Sequence, residues 1–204
     1  TPPPSLPPPP AAPTPADLAV YPGLYRIAAG SDFVVRIGAD GLIAQFPGQF
    51  PVELRAVGHD VFAATGDAFV LSFQREGDAV VSILLGHGGT NLLAQRLSER
   101  APALARTALA SNGKKLLEYR GDYRLDADTL LRIAARDGTL SVQPTGHAAL
   151  TLTAFAPDRF ADPRGACEIH FLRNDKHEVT SLKIVLAGAE RSAERSAWHV
   201  PALR

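Results

Sequence analysis

The 204 residues include one cysteine, Cys167, one tryptophan and no methionine. A lone cysteine excludes an internal disulfide and any multi-cysteine zinc site. With no methionine, Thr1 is not a translation start, and the expectation is that something upstream of it has been removed. No apolar run reaches about 18 residues, so no membrane span is predicted. Net charge is lacking too: 21 basic and 21 acidic residues cancel. Proteins that bind by neutralising phosphates carry a basic excess or stripe, so nucleic acid is not the expected partner. The balance is −1 over residues 1–17, 5 − 7 = −2 over 18–98 and 16 − 13 = +3 over 99–204, too little to steer a charged ligand.

What is present is hydrophobic residues, 46% of the chain, in short runs separated by turn-forming residues. Residues 1–17 read as a proline-rich linker of the polyproline type, a semi-rigid spacer that holds the folded part away from something else. From residue 18 on, runs such as "GLYRIA", "DFVVRIG", "VELRAVG" and "AFVLSFQ" alternate with "ADG", "GHD" and "REGD". Runs spaced by about 8 to 12 residues and divided by Gly and Asp turns describe a meander of antiparallel strands. Helix is plausible only in "SERAPALARTALASNGKKLLEY", where Pro102 and "SNG" break it up. The expected domains are 18–98 and 118–204, joined by a linker at 99–117 with a short helix.

The second domain repeats the first. "YPGLYR" at 21–26 returns as "YRGDYR" at 119–124, an offset of 119 − 21 = 98. Leu42, Leu54, Phe62 and Phe73 fall on Leu140, Leu152, Phe160 and Phe171 at the same offset. Pairing Ile37 with Ile133 requires a hairpin two residues shorter in the second copy, with the offset restored near "ARDGT". Indels confined to turns are what a structural repeat tolerates, because a one-residue slip inside a strand turns its core face outward.

An aromatic residue followed by Gly-x-Tyr, strands with "DG" hairpins and a late Phe-rich strand together resemble the lipocalin-like C-terminal domain of β-lactamase-like serine hydrolases and D-aminopeptidase-type enzymes. Gly-x-Tyr also echoes the Gly-x-Trp of lipocalins. The resemblance covers about residues 18–195 in two copies. It implies an all-β chain of two tandem eight-stranded antiparallel barrels, or barrel-like sandwiches, without chemistry of their own. Tyr21, Gly23, Tyr25, Tyr119, Gly121 and Tyr123 form the structural signature. The glycines admit a bend or a close neighbour, the tyrosines plug a barrel end, and Arg26 and Arg124 are expected to stack on them.

No catalytic constellation is found, and the chain is read as a non-enzyme without cofactor or metal. "SNGK", Ser111–Lys114, fits Ser-x-x-Lys, but no Tyr-x-Asn or Lys-Thr-Gly accompanies it. Glu168 and His170 share a strand face, but two ligands do not make a metal site. Cys167, on the face of Ile169 and Phe171, reads as a small core residue. Binding is assigned to two loops, "QFPGQFP" at 45–51 and "FAPDRFADPRG" at 155–165, with Phe46, Gln49, Phe50, Arg159 and Arg164 as contact residues, since aromatics and arginines anchor interfaces. The competing reading has the phenylalanines simply closing barrel ends.

Three functions fit this sequence. The first is a protein-binding module of the bacterial envelope, periplasmic or anchored to the outer membrane by a lipid upstream of residue 1, acting as an inhibitor or immunity-type protein on a partner protein. The second is an accessory module beside the catalytic domain of a serine hydrolase. The third is a carrier of a small apolar ligand, which the six phenylalanines of the first copy argue against by filling the interior.

Overall fold

The computed structural model describes residues 14–27, 31–38, 41–66, 68–99, 107–109, 113–136 and 138–196. Most of the proline-rich spacer, much of the 99–117 linker with Ser111, and His199 lie outside them. The chain forms two compact units, one of residues 1–44 and 52–101, the other of residues 45–51 and 102–204.

The first unit contains a closed eight-stranded antiparallel barrel. Its strands are β1 (Gly23–Ile27), β2 (Ser31–Ile37), β3 (Leu42–Gln45), β4 (Val52–Gly58), β5 (Val61–Ala64), β6 (Val70–Glu76), β7 (Ala79–His87) and β8 (Thr90–Ser98). β8 returns to β1, with Tyr25 opposite Arg96, so no sheet edge is left open. The one-turn helix α1 (Pro15–Leu18) precedes β1, with a proline in its first turn. Thr14 Oγ1 accepts the Asp17 amide and the Asp17 carboxylate accepts the Thr14 amide at 2.8 Å, a reciprocal cap that satisfies two donors the helix start would otherwise leave bare. Leu18 is thereby turned into the core.

The second unit repeats this plan. The helix α2 (Gly113–Leu116) runs into a 3₁₀ turn at Leu117–Tyr119. A second closed barrel follows: β9 (Gly121–Arg124), β10 (Leu130–Arg136), β11 (Thr139–Pro144), β12 (Leu150–Ala156), β13 (Arg159–Ala161), β14 (Glu168–Arg173), β15 (Val179–Leu186) and β16 (Ala189–Arg195). Closed barrels thus replace the open alternative left by the sequence, with a short helical segment between them.

Strand registers correct the alignment of the copies. Gly23 pairs with Val35 and Tyr25 with Phe33; Gly121 pairs with Ile133 and Tyr123 with Leu131. The equivalent of Ile133 is therefore Val35, at 133 − 35 = 98, and no hairpin is shortened there. Side-chain direction decides this: Val35 faces the interior with Phe33, whereas Ile37 is 41% exposed. The real insertion is one residue in the β14–β15 turn relative to the β6–β7 turn, because Arg75 pairs with Val80 while Arg173 pairs with Val179. Beyond it the offset is 99, and Ile83, Leu85 and Ala94 correspond to Leu182, Ile184 and Ala193, all buried.

Both barrels are filled by their own side chains. Tyr25, Phe33, Phe62, Leu42, Leu71 and Ile83 occupy the first, and Tyr123, Phe171, Leu131, Leu140 and Ile169 the second. In the first, the Tyr21 ring lies 5.0 Å from Phe62 and 4.6 Å from Phe73, centroid to centroid. In the second, Tyr119 lies 5.0 Å from Phe160 and 4.5 Å from Phe171. Such edge and tilted contacts bring electron-rich faces against electropositive edges.

Candidate functional site

One polar cluster is built twice, at the end of each barrel where the preceding helix sits. In the first unit Tyr21 Oη donates to Asp60 Oδ1 at 2.6 Å. Arg75 clasps the same carboxylate through Nε at 2.9 Å and Nη2 at 2.8 Å, and Nη2 also donates to Tyr21 Oη at 3.2 Å. The guanidinium carbon is 5.3 Å from the centre of the Tyr21 ring. The second unit has Tyr119 Oη on Asp158 Oδ1 at 2.7 Å and Arg173 Nη2 on Asp158 Oδ1 at 2.8 Å, with Arg173 5.5 Å from the Tyr119 ring. Both aspartates have φ of 58°, a left-handed turn conformation that Asp tolerates better than most residues. Their carbonyls accept the Phe73 and Phe171 amides, so each tight turn is tied to the neighbouring strand by backbone as well as side chain.

Charge pairing sets the ionisation of these groups. The Arg75 guanidinium holds the Asp60 carboxyl below the usual carboxylate range, and Arg173 does the same to Asp158. Both arginines are pushed up by their aspartates. Burial pushes the Tyr119 hydroxyl up to about 12, with the Asp158 hydrogen bond adding to it, and burial raises Tyr21 as well. Each cluster is therefore a fixed ion pair with a neutral phenol.

A second arginine fastens each Gly-x-Tyr strand to the strand that closes the barrel. Arg96 Nη1 donates to the Val80 carbonyl at 2.9 Å and Nη2 to those of Val20 and Pro22 at 3.0 and 2.7 Å, with its guanidinium 5.9 Å from the Tyr25 ring. Arg195 does likewise with the carbonyls of Val179 and Arg120, 5.8 Å from Tyr123. The Tyr25 and Tyr123 hydroxyls donate hydrogen bonds to the carbonyls of Tyr21 and Tyr119, and burial pushes both phenols up to about 12. Close approach of the closing strand and its arginine explains the glycines. A Cβ on Gly23 would lie 2.5 Å from the Ser98 carbonyl and 3.1 Å from Arg96 Nε, and one on Gly121, where φ is +147°, would lie 3.1 Å from Arg195 Nε. The arginines over the rings are thus Arg75, Arg96, Arg173 and Arg195. Arg26, expected there, points outward and pairs with Asp32 at 2.6 Å, and Arg124 is exposed.

Beside the first cluster opens a surface cleft of about 540 Å³, lined among others by Ala16, Asp17, Val20, His59, Asp60 and Arg75. His59 Nδ1 lies 2.9 Å from Asp60 Oδ2, and the His59 side chain is 91% exposed. Position for position, the second unit carries Lys115 for Asp17, Glu118 for Val20 and Pro157 for His59. Glu118 reaches Arg173 Nη1 at 2.9 Å.

Of the two loops singled out from sequence, residues 45–51 meet only the last residues of the second, the turn that follows β13, at the opposite end of the second barrel. In an up-and-down barrel alternate hairpins share an end, here β9–β10, β11–β12, β13–β14 and β15–β16. Residues 45–51 lie against them. Gln45, fully buried, donates through Nε2 to the Ala166 carbonyl at 2.5 Å and to that of Gln49 at 3.1 Å. The Gly48 amide donates to the Leu186 carbonyl at 2.9 Å. Arg191 joins the Gly48 carbonyl, at 3.5 Å, to Asp126, at 2.6 Å, and holds the Asp126 carboxyl down at about 2. Phe50 is 6% exposed, belongs to the core of this unit and lies 5.3 Å from the His147 ring.

The five predicted contact residues therefore divide. Gln49 is exposed and Phe46 half-buried on the segment, and Arg164 is exposed on the adjoining β13–β14 turn, where its backbone amide is fixed by Asp162 Oδ2 at 3.0 Å. Phe50 turns inward. Arg159, exposed, stands at the far end of β13 beside Asp158. The Gln45 amide, the Tyr–Asp–Arg clusters and the Arg96 and Arg195 clasps were all missed by sequence reasoning. The recurrence of Asp60 and Arg75 at offset 98 was available as a signal; that of Arg96 was masked by the one-residue insertion.

Cys167 is 1% exposed, and burial pushes its thiol up to about 12. Among the described residues no group of three His, Cys, Asp or Glu side chains is placed to hold a metal ion, and no helix is long and apolar enough to cross a membrane. No protein-family model matches the chain, and no curated protein does.

Proposed function

We propose that the chain is a non-catalytic protein-binding module of the bacterial envelope, an inhibitor or immunity-type protein that meets its partner on the hairpin end of the second unit. The observation that carries this is the seating of residues 45–51. Three hydrogen bonds hold the segment against the hairpins, from Gln45 to the Ala166 carbonyl, from the Gly48 amide to the Leu186 carbonyl and from Arg191 to the Gly48 carbonyl; a fourth, from Gln45 to the Gln49 carbonyl, braces it internally, and the buried Phe50 pins it. Two loops held in one arrangement lose little conformational freedom on binding, which is the property that lets a modest polar surface bind tightly. Gln49, Pro47, Pro163 and Arg164 are its exposed points. Two closed barrels fit a scaffold role, in keeping with the resemblance of the sequence to lipocalin-like domains, and a lipid anchor ahead of the proline-rich spacer would place it at the envelope.

The test is capture from envelope extracts with the whole chain as bait, followed by titration of the captured protein. Gln49→Lys combined with Arg164→Glu should weaken binding at least about tenfold, about 1.4 kcal/mol, without altering the melting temperature. Unchanged affinity would rule out this face. If the same chain instead binds and modulates a serine hydrolase domain encoded upstream in frame, the accessory-module reading, which rests on the family resemblance, replaces it.

A further inference from the structure

The repeat lets one copy serve as a reference for the other. In the second unit Arg173 uses its whole guanidinium: Nε and Nη2 hold Asp158, Nη2 also meets Tyr119 Oη, and Nη1 donates to the His177 carbonyl at 2.7 Å and the Glu118 carboxylate at 2.9 Å. In the first unit Arg75 makes the matching bonds to Asp60, Tyr21 and the Asp78 carbonyl, the last through Nη1 at 3.1 Å. The residue matching Glu118 is at 118 − 98 = 20, and it is valine. One Nη1 hydrogen of Arg75 thus has no acceptor among the described residues, at the corner where the second unit supplies a carboxylate. Val20 and Arg75 both line the cleft of about 540 Å³.

We propose that this cleft is a binding site for a small monocarboxylate with an apolar body, its carboxylate taking beside Arg75 the place that Glu118 takes beside Arg173. The volume lies within the range of small-molecule sites. Ala16, Val20, Ala56 and Phe62 offer apolar wall, and His59 stands at the rim with its Nδ1 turned to Asp60 and its Nε2 free to meet the ligand. Asp17, whose carboxylate is bonded to Thr14 and whose counterpart in the second unit is Lys115, adds a negative charge to the lining that weakens the binding of any anion and disfavours polyanions most. A charge-assisted hydrogen bond to guanidinium is stronger than a neutral one, so an acid should be preferred to its amide. The site is separate from the face assigned to protein binding, and either assignment can fail alone.

The probe is 3-phenylpropionate, titrated into the ¹⁵N-labelled whole chain and compared with 3-phenylpropanamide. The acid should give saturable shifts at residues 17, 20, 21, 59 and 60 and at Arg75 Nε, with a dissociation constant on the order of 1 mM, and the amide should bind at least about tenfold more weakly. Val20→Glu installs the carboxylate that the second unit already tolerates. It should abolish the acid's shifts while leaving the chain folded, as the amide spectrum reports. Equal binding of acid and amide, no saturable shift at these residues, or undiminished binding to a folded V20E chain would each overturn the proposal.

Discussion

Replacing Asp60 by asparagine separates charge from backbone in the duplicated cluster. Asparagine keeps the side-chain shape and shares the tolerance of aspartate for the left-handed turn, here at φ of 58°. What is lost is the carboxylate that accepts from Arg75 Nε and Nη2 and from Tyr21 Oη. Hydrogen bonds to charged groups contribute about 1.5–3 kcal/mol each in mutational series. The Asp60 side chain is 12% exposed and that of Arg75 25%, and part of Arg75's loss is returned by water, so about 2 kcal/mol in total is expected for Asp60→Asn. Asp60→Ala should cost roughly 1 kcal/mol more, for a left-handed residue without the polar side chain that suits it. Urea unfolding followed by amide resonances assigned to the first unit measures both. The pH dependence follows from the lowered carboxyl: the folded form binds its proton less readily than the unfolded form, whose pKa is about 3.9. Stability from the pair is therefore complete above that value and lost as pH falls through the folded pKa. The gap between parent and Asp60→Asn should be constant from about pH 5 to 7 and shrink below about 4. A loss below about 0.5 kcal/mol, or a gap that persists unchanged into acid, would refute the assignment of this pair as a stabilising clasp.

Three further outcomes are expected. Phe50→Ala, at a 6% exposed position in the core of the second unit, should cost that unit about 3 kcal/mol, read from its amides in the same unfolding experiment. Gly23→Ala should destabilise the first unit by about 2 kcal/mol, because the new methyl carbon meets the Ser98 carbonyl at 2.5 Å and one strand of the β1–β8 seam must shift. Cys167 should resist thiol reagents at pH 8 in the folded chain and react only as fast as the chain unfolds. Because folding raises its thiol to about 12, the unfolded form loses the proton first, and stability should decline as pH rises above about 8.5.

The strand plan was legible because alternation and turn residues are local signals. Each strand run named from the sequence contains a strand, and Tyr21, Tyr25, Tyr119 and Tyr123 lie buried. The offset error at Ile37 came from matching residue names: two isoleucines aligned, whereas strand pairing puts the valine on the inner face. The stacking partners were sought one residue from the tyrosines, on the same strand, where side chains point to opposite faces. Arg96 and Arg195 reach the rings from β8 and β16, a relation set by barrel closure and so absent from any short window of sequence. The burial of Phe50 follows the competing reading, in which the phenylalanines close barrel ends; what stayed hidden is that its packing partners lie in the second unit, among them His147.

Gln45 and Ala166 are 121 residues apart in the chain. During synthesis at about 5–20 residues per second, residues 45–51 leave the ribosome roughly 6 to 24 seconds before the turn that receives them exists. Throughout that interval the buried amide of Gln45 and the ring of Phe50 have water where their partners will be. β3 and β4, which flank the segment, can pair as soon as they emerge, so the segment waits as a loop of a hairpin whose strands are complete. Capture of this early-made segment by the late-made hairpins should then have a rate that answers to substitutions at Phe50, while the rate of pairing β3 with β4 does not.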